Sequence, residues 1–402
     1  MLTIAVICEY NPFHNGHKYQ LDAIRKEFGE DCCIIALMSG NYTQRGDVAI
    51  LDKGIRARCA TDAGANLVLE IPFPFSISSA ELFALAGVRI ANSLNTVDYL
   101  SFGSECGDIG LLEKYAEAML SDEYKKAFTD IENENSSSAI GHAKLCEKAL
   151  KSILEDATDI FTPNNILALE YIKALKLTKS RIKPHTIKRV GAGYNDSEIG
   201  EFTYQSASAI RESVKNSDIT ALEYVPEKSK KDILEALKIG EFPCDTEKLA
   251  TAIISHFRIN PVPAKKIHDA EGGLYNRLAK MSGKTGTISQ LVRLTETKKY
   301  TNARIRRAIF YSYFGVTSSD IKEKISYTQV LAMDGIGRAG LKEIKKRCNI
   351  TVLTKPSDHS SLSKRGLRQK ALADKADAVF QLTKPIAQDS GYSLRFTPYV
   401  KK

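Results

Sequence analysis

The densest chemistry in the chain stands near its amino terminus, in Cys8-Glu9-Tyr10-Asn11-Pro12-Phe13-His14-Asn15-Gly16-His17. Two of the seven histidines lie here, separated only by Asn15 and Gly16. Imidazoles supply N–H donors or a positive charge, Gly16 lets a ligand approach the backbone closely, and Pro12 stiffens the turn that presents the rings. A helix starting at this point would add unpaired N–H groups and partial positive charge, a natural seat for a phosphate. The same tetrapeptide also suits a helix cap or a metal. No third and fourth ligand stands at helical or hairpin spacing nearby, so no metal site is expected. His14 and His17 are the candidate catalytic pair. The surrounding segment, Ile7, Cys8, Glu9, Tyr10, Asn11, Pro12, Phe13, Asn15, Gly16, Lys18, Tyr19 and Gln20, is the candidate phosphate-binding stretch.

The elements that must position these residues follow from the hydrophobic rhythm. Short β-branched runs at Thr3–Cys8, Cys33–Met38, Leu67–Ile71, Val97–Phe102 and Thr186–Val190 alternate with helical patterns at His17–Phe28, Gly54–Ala65 and Ala80–Asn92. That is the β-α-β rhythm of a mostly parallel, Rossmann-like α/β sheet, with the histidines just beyond the carboxyl end of its first strand, where such sheets bind ligands. After about residue 215 amphipathic helices dominate. One runs from an N-cap at Thr301 to a stop at Gly315, with Ile305, Ala308, Ile309, Ser312 and Tyr313 on one face. We therefore expect an α/β domain over 1–215 and a mainly helical domain over 216–402, with polar loops at Asn133 to Ser138 and Ser357 to Ser363.

Charge divides along the same line. Residues 1–200 hold 21 basic and 27 acidic side chains, a net of −6, whereas residues 251–402 hold 29 and 11, a net of +18. Such asymmetry suits one domain that meets a polyanion, or a solvated basic surface. The chain is long enough for two or three domains, its eight cysteines show no C-x-x-C spacing, no basic leader precedes the apolar run at Met1 to Val6, and no run approaches the ~20 apolar residues of a membrane span. A reduced, soluble, cytoplasmic protein is expected, with no membrane association and no obligate protein partner evident.

With Glu9 to His17, the strings Met38-Ser39-Gly40-Asn41-Tyr42, Gln44-Arg45-Gly46, Phe102-Gly103-Ser104-Glu105, Pro163-Asn164-Asn165 and Lys188-Arg189-Val190-Gly191-Ala192-Gly193-Tyr194 resemble the tRNA(Met) cytidine acetate ligase family. This family lies within the nucleotidyltransferases that share a His-x-Gly-His motif and a fold with class I aminoacyl-tRNA synthetases. The likeness spans most of residues 1–215 and is looser beyond. It implies ATP as substrate, Mg2+ on its phosphates, acetate activated as acetyl-adenylate, and acetyl transfer to N4 of the wobble cytidine of elongator tRNA(Met). A small-molecule adenylyltransferase of the same superfamily, or an RNA-binding protein without turnover, are the alternatives.

A leaving pyrophosphate needs more than one helix terminus. Ser206, Ser208 and Arg211 follow the last strand and open a helix, resembling the Ser/Thr-rich phosphate element of small nucleotidyltransferases, or an ordinary N-cap. Lys280-Met281-Ser282-Gly283-Lys284 resembles the synthetases' mobile lysine signature but reads as a helix end and loop. Gly103 is a nucleotide-facing or turn glycine. Asn164 and Asn165 read adenine or ribose, or form a turn, and Arg189 contacts phosphate or a surface carboxylate. Gln44, Arg45, Asp47 and Lys53 frame an acyl or base pocket, or a solvated loop. For RNA, the candidates are Arg304, Arg306 and Arg307 on one helix, Lys345 and Lys346 with Lys342 and Arg347 on another, and Arg365 and Arg368 with Lys364 and Lys370, with Tyr311 or Tyr313 as a base-stacking ring.

Overall fold

The computed structural model describes residues 1–134, 142–154, 160–189 and 205–402. Its first half follows the predicted rhythm: β1 (Thr3–Cys8), α1 (Asn15–Phe28), β2 (Cys33–Ser39), α2 (Lys53–Asp62), β3 (Leu67–Ile71), α3 (Ala80–Leu94), β4 (Tyr99–Ser104), α4 (Pro163–Leu177), β5 (Lys183–Lys188) and α5 (Ala207–Lys215). The second half contributes α6 (Asn302–Phe314), β6 (Tyr327–Met333), α7 (Gly335–Arg347), β7 (Thr351–Leu353), α8 (Lys364–Phe380) and β8 (Tyr399–Val400), among other helices.

These strands form one eight-stranded sheet in the order β8-β6-β3-β2-β1-β4-β5, with β7 also paired to β6. The stretch β3-β2-β1-β4-β5 is parallel throughout. Its order reverses between β1 and β4, which opens a crevice beyond their carboxyl ends. Alternation of side chains covers the sheet twice. Ala5 and Ile7 of β1, with Ile35 and Leu37 of β2, pack against Phe83 and Val88 of α3 and Leu169 and Ile172 of α4. Ile4 and Val6, with Ile34, Ala36 and Met38, pack against Leu21 and Ile24 of α1 and Ala57 and Ala60 of α2.

Residues 216–402 are mainly helical, as expected, and they also add three strands to the sheet. β6 lies antiparallel beside β3, with β8 and β7 parallel to β6 on its far side, so the carboxyl-terminal half completes the sheet of the amino-terminal half. Thr328 and Gln329 interrupt the apolar run of this buried strand, which hid it. Thr328 is fully buried and its hydroxyl donates 2.7 Å to the carbonyl of Glu70 on β3. The helices of this half enclose a separate core around Phe257, Leu278, Leu291, Ile309 and Phe380, into which Tyr42, Phe73 and Ile77 of the first half insert. Asn133 stands at the end of the Asp122–Glu134 helix rather than in a loop, and Pro356–Ser361 is a 3-10 turn; the remainder of the first polar loop, 135–138, and the matched string 190–194 lie outside the described residues.

Candidate active site

The β1–α1 junction holds its two histidines through the backbone. His14 is the N-cap of α1: its Nδ1 accepts a hydrogen bond from Gly16 N–H at 3.0 Å, while His17 Nδ1 accepts from His14 N–H at 3.2 Å. This reciprocal arrangement, in which imidazoles fill the roles usually taken by Ser and Glu, satisfies two orphan donors of the helix. With Nδ1 an acceptor on both rings, each neutral imidazole carries its proton on Nε2. The rings stack at 3.7 Å, and Tyr10 meets His17 edge-on at 4.8 Å. Burial, then the guanidinium groups of Arg189 and Arg211, lower His14 to about 4; burial, then His14 and Arg189, hold His17 well below the usual imidazole range. Both rings are therefore neutral donors near pH 7. A Cβ on Gly16 would stand 2.9 Å from His14 Cε1, so any side chain there would displace the ring.

The turn leading into α1 is fixed from several directions. Tyr10 takes a left-handed φ of 47°, the Asn11 side-chain oxygen accepts from Ile50 N–H at 2.8 Å, and the Glu9 carboxylate accepts from Gln44 N–H at 2.7 Å. Arg56, fully buried, donates to the carbonyls of Glu9, Ser39, Gly40 and Leu51, and so ties the ends of β1 and β2 together.

A cleft of about 940 Å³ opens over this junction at the strand-order reversal. His14, His17, Gln20, Gly103, Asn164, Arg189, Ser208 and Arg211 line it, as do Ile7 through Asn11. Arg211 donates to the Asn11 carbonyl at 2.7 Å and to Ser208 Oγ at 3.0 Å, which brings the predicted second phosphate element to the first. Gly103 lies under Arg189: a Cβ would come within 3.0 Å of Arg189 Cγ. Among the described residues, six basic side chains, Arg45, Arg189, Arg211, Lys215, Arg306 and Arg307, face the cleft together with two carboxylates, Glu9 and Asp47.

Several predicted residues support this cleft without lining it. Ser206 caps α5, its Oγ accepting from Ala209 N–H at 3.2 Å. Asn165 is buried; its side-chain oxygen accepts from Glu105 N–H at 2.8 Å, and the Glu105 carboxylate accepts from the backbone of both Asn164 and Asn165. Pro12, Phe13, Asn15, Gly16, Lys18 and Tyr19 shape the turn and first helical turn rather than the wall. Lys53 does not frame the pocket: it is buried in an ion triad with Glu70 at 2.8 Å and Asp377 at 2.6 Å. Lys280 to Lys284 end a helix, as expected, and do not line the cleft.

The arginines expected on RNA divide. Arg306 and Arg307 line the cleft, with Arg306 3.6 Å from Asp47 and Arg307 2.6 Å from Asp269. Arg304 turns to the carbonyls of Asp269 at 3.0 Å and Glu271 at 3.3 Å, a structural contact rather than a free phosphate ligand. Tyr311 is fully buried and donates to the Ile77 carbonyl, so it cannot stack on a base; Tyr313 is half-buried. Lys345 and Lys346 on α7 are exposed, and Arg365 and Arg368 on α8 flank Glu323. Sequence reasoning missed Lys215, four residues beyond Arg211 on the same helix face, a spacing that could have found it. It also missed Thr246 and Asn302, for which the sequence carries no signal.

A larger cavity of about 1140 Å³ lies at the amino ends of the strands, bordered by Thr3, Asp98, Tyr99, Lys183 and Arg347. Ligands of open α/β sheets sit at the other end, with the histidines. Among the described residues, no group of three His, Cys, Asp or Glu side chains stands close enough to hold a metal ion, and no helix is long and apolar enough to cross a membrane.

A parallel sheet with this strand order, and a histidine-capped helix at its reversal point, define a nucleotidyltransferase of the His-x-Gly-His type. Residues 1–392 match the family model described as HIGH Nucleotidyl Transferase. Among curated relatives, the tRNA(Met) cytidine acetate ligase of Thermoanaerobacter sp. (strain X514) is 38% identical over 365 residues, 89% of each chain. That of Caldanaerobacter subterraneus subsp. tengcongensis is 37% identical over 370 residues, 90% of each. The crystal structure of Thermotoga maritima TmcAL bound with alpha-thio ATP superposes with a TM-score of 0.89 at 27% identity, covering 100% of both chains. The chain belongs to the tRNA(Met) cytidine acetate ligase family.

Proposed function

We propose that this protein is an ATP-dependent ligase that activates acetate as acetyl-adenylate and transfers the acetyl group to N4 of the wobble cytidine of elongator tRNA(Met), in the cytoplasm. The observation that carries this reading is the pair of neutral imidazoles, locked by the helix backbone as Nε2–H donors, inside a cleft of six cations at the reversal point of the sheet. ATP lies with its triphosphate over His14, His17 and the first turn of α1. Arg211, Ser208 and Arg189 take the far phosphates, and Gly103 and Asn164 border the nucleoside. Acetate attacks the α-phosphorus in line, and pyrophosphate leaves toward the donors. Mg2+, where bound, would be held mainly by ATP and would offset charge on the leaving pyrophosphate; among the described residues the cleft offers two carboxylates.

In the second step the cytidine amine attacks the mixed anhydride and AMP leaves. No covalent enzyme intermediate is required. Burial pushes the thiols of Cys8 and Cys244, the cysteines lining the cleft among the described residues, above their usual range, which keeps them poor nucleophiles. The exposed bases Lys345, Lys346, Arg365 and Arg368 are the RNA-facing surface, and Arg306 and Arg307 receive the anticodon loop that carries the wobble cytidine within the cleft. The deciding experiment is nucleoside mass spectrometry of tRNA incubated with the protein, ATP and labelled acetate. N4-acetylcytidine is the expected product; pyrophosphate release without it refutes the assignment.

A further inference from the structure

Acetyl transfer from the adenylate to an exocyclic amine releases a proton, and the two histidines cannot take it. Each imidazole already accepts a backbone N–H on Nδ1 and holds its own proton on Nε2, so both act only as donors. The six basic side chains of the cleft cannot take it either. Among the described residues, Glu9 and Asp47 are the carboxylates that line the cleft. Glu9 belongs to the turn beneath the triphosphate and accepts from Gln44 N–H. Asp47 lines the cleft from a hairpin pairing Tyr42–Thr43 with Asp47–Val48.

That hairpin is held rigidly. Gly46, at φ 80°, packs so tightly on α6 that a Cβ would meet Arg307 N at 2.5 Å. The Asp47 carboxylate receives Thr246 Oγ–H and lies 3.6 Å from Arg306, yet its side chain remains 32% exposed to the cleft. Resting on the acetyl-transfer reading above, we infer that Asp47 is the proton acceptor of the second half-reaction, aimed by Thr246 and Arg306. The cytidine N4 lone pair attacks the acetyl carbonyl carbon and the N4–C bond forms. The bond from that carbon to the phosphate oxygen breaks, its electron pair leaves with AMP, and the N4 proton passes to an Asp47 carboxylate oxygen.

The test measures the half-reactions separately on the full-length enzyme: acetate-dependent ATP–pyrophosphate exchange, and acetylation of tRNA by acetyl-adenylate supplied directly. Asp47→Asn keeps the shape and the bond from Thr246. It should retain exchange within about threefold while slowing acetyl transfer about 100-fold or more, the usual scale of general-base catalysis. Asp47→Glu should recover at least about tenfold of that loss. Transfer unaffected in Asp47→Asn, or exchange lost in parallel with transfer, overturns the assignment and leaves Asp47 a hairpin latch. Failure of the unsubstituted enzyme to acetylate tRNA from acetyl-adenylate overturns the parent reading as well, and is distinguishable because it appears without any substitution.

Discussion

The two walls of the cleft are built on opposite principles. On one, His14 and His17 are fixed by hydrogen bonds spanning two and three residues of a single helix start. On the other, Asp47 is held by Thr246 and Arg306, 199 and 259 residues away, and depends on the packing of the two halves. The first wall is as stable as one turn of helix seated on the sheet. The second exists only when distant segments are docked. The histidine pair is therefore preformed, whereas the Asp47 side of the cleft is assembled by the tertiary structure.

The strongest way to break this contrast is to undo the docking. Lys53 neutralises Glu70 on β3 and Asp377 on α8, and Asp377 also accepts from Asn41 at 2.9 Å just before the hairpin. Lys53→Met should leave two buried carboxylates facing each other and cost about 3–5 kcal/mol, read as a lower urea midpoint. Next, His17→Ala removes a donor from the preformed wall. It should lower acetate-dependent ATP–pyrophosphate exchange about 10²–10³-fold, while filter-binding affinity for tRNA stays unchanged. Equal loss of both would mean that the walls are not separable.

A smaller effect is expected with pH. The folded protein holds His14 at about 4, below its ordinary 6.5, so the unfolded chain takes up that proton first. The stabilising contribution is complete above about pH 6.5 and is lost as pH falls toward 4, amounting to about 2 kcal/mol at pH 5. Urea midpoints at pH 7 and pH 5 should show this loss, and His14→Gln should reduce it, leaving the part that His17 contributes. Smallest of all, Lys345→Ala with Lys346→Ala should weaken tRNA binding about threefold to tenfold and reduce its log–log salt slope by about 1 to 2, with pyrophosphate exchange intact. Charge reversal at Arg304 is a poor probe of RNA contact, because its guanidinium already holds the carbonyls of Asp269 and Glu271.

What could be read in the sequence follows the same division. β1, β3 and the histidine turn were legible because their signals are local: short runs rich in β-branched apolar residues, a cap and a glycine within a few positions. α6 was legible from its cap at Thr301 and stop at Gly315, yet the roles of its side chains were not. Tyr311 reads as a possible stacking ring until Ile77 arrives from 234 residues away to claim its hydroxyl. Lys53 reads as a loop cation until Glu70 and Asp377 enclose it. β6 was hidden because Thr328 and Gln329 satisfy polar groups inside the core, and β7 and β8, at three and two residues, are too short to show a period.

The placement of β6 carries a consequence for biosynthesis. Because residues 327–333 zip onto the exposed margin of Leu67–Ile71, the sheet begun in the amino-terminal half waits for more than two hundred later residues before that margin is covered. A fragment ending near residue 215 would leave a bare, apolar strand border, an invitation to self-association. The nucleotide-handling half and the basic half are thus obliged to mature as one body.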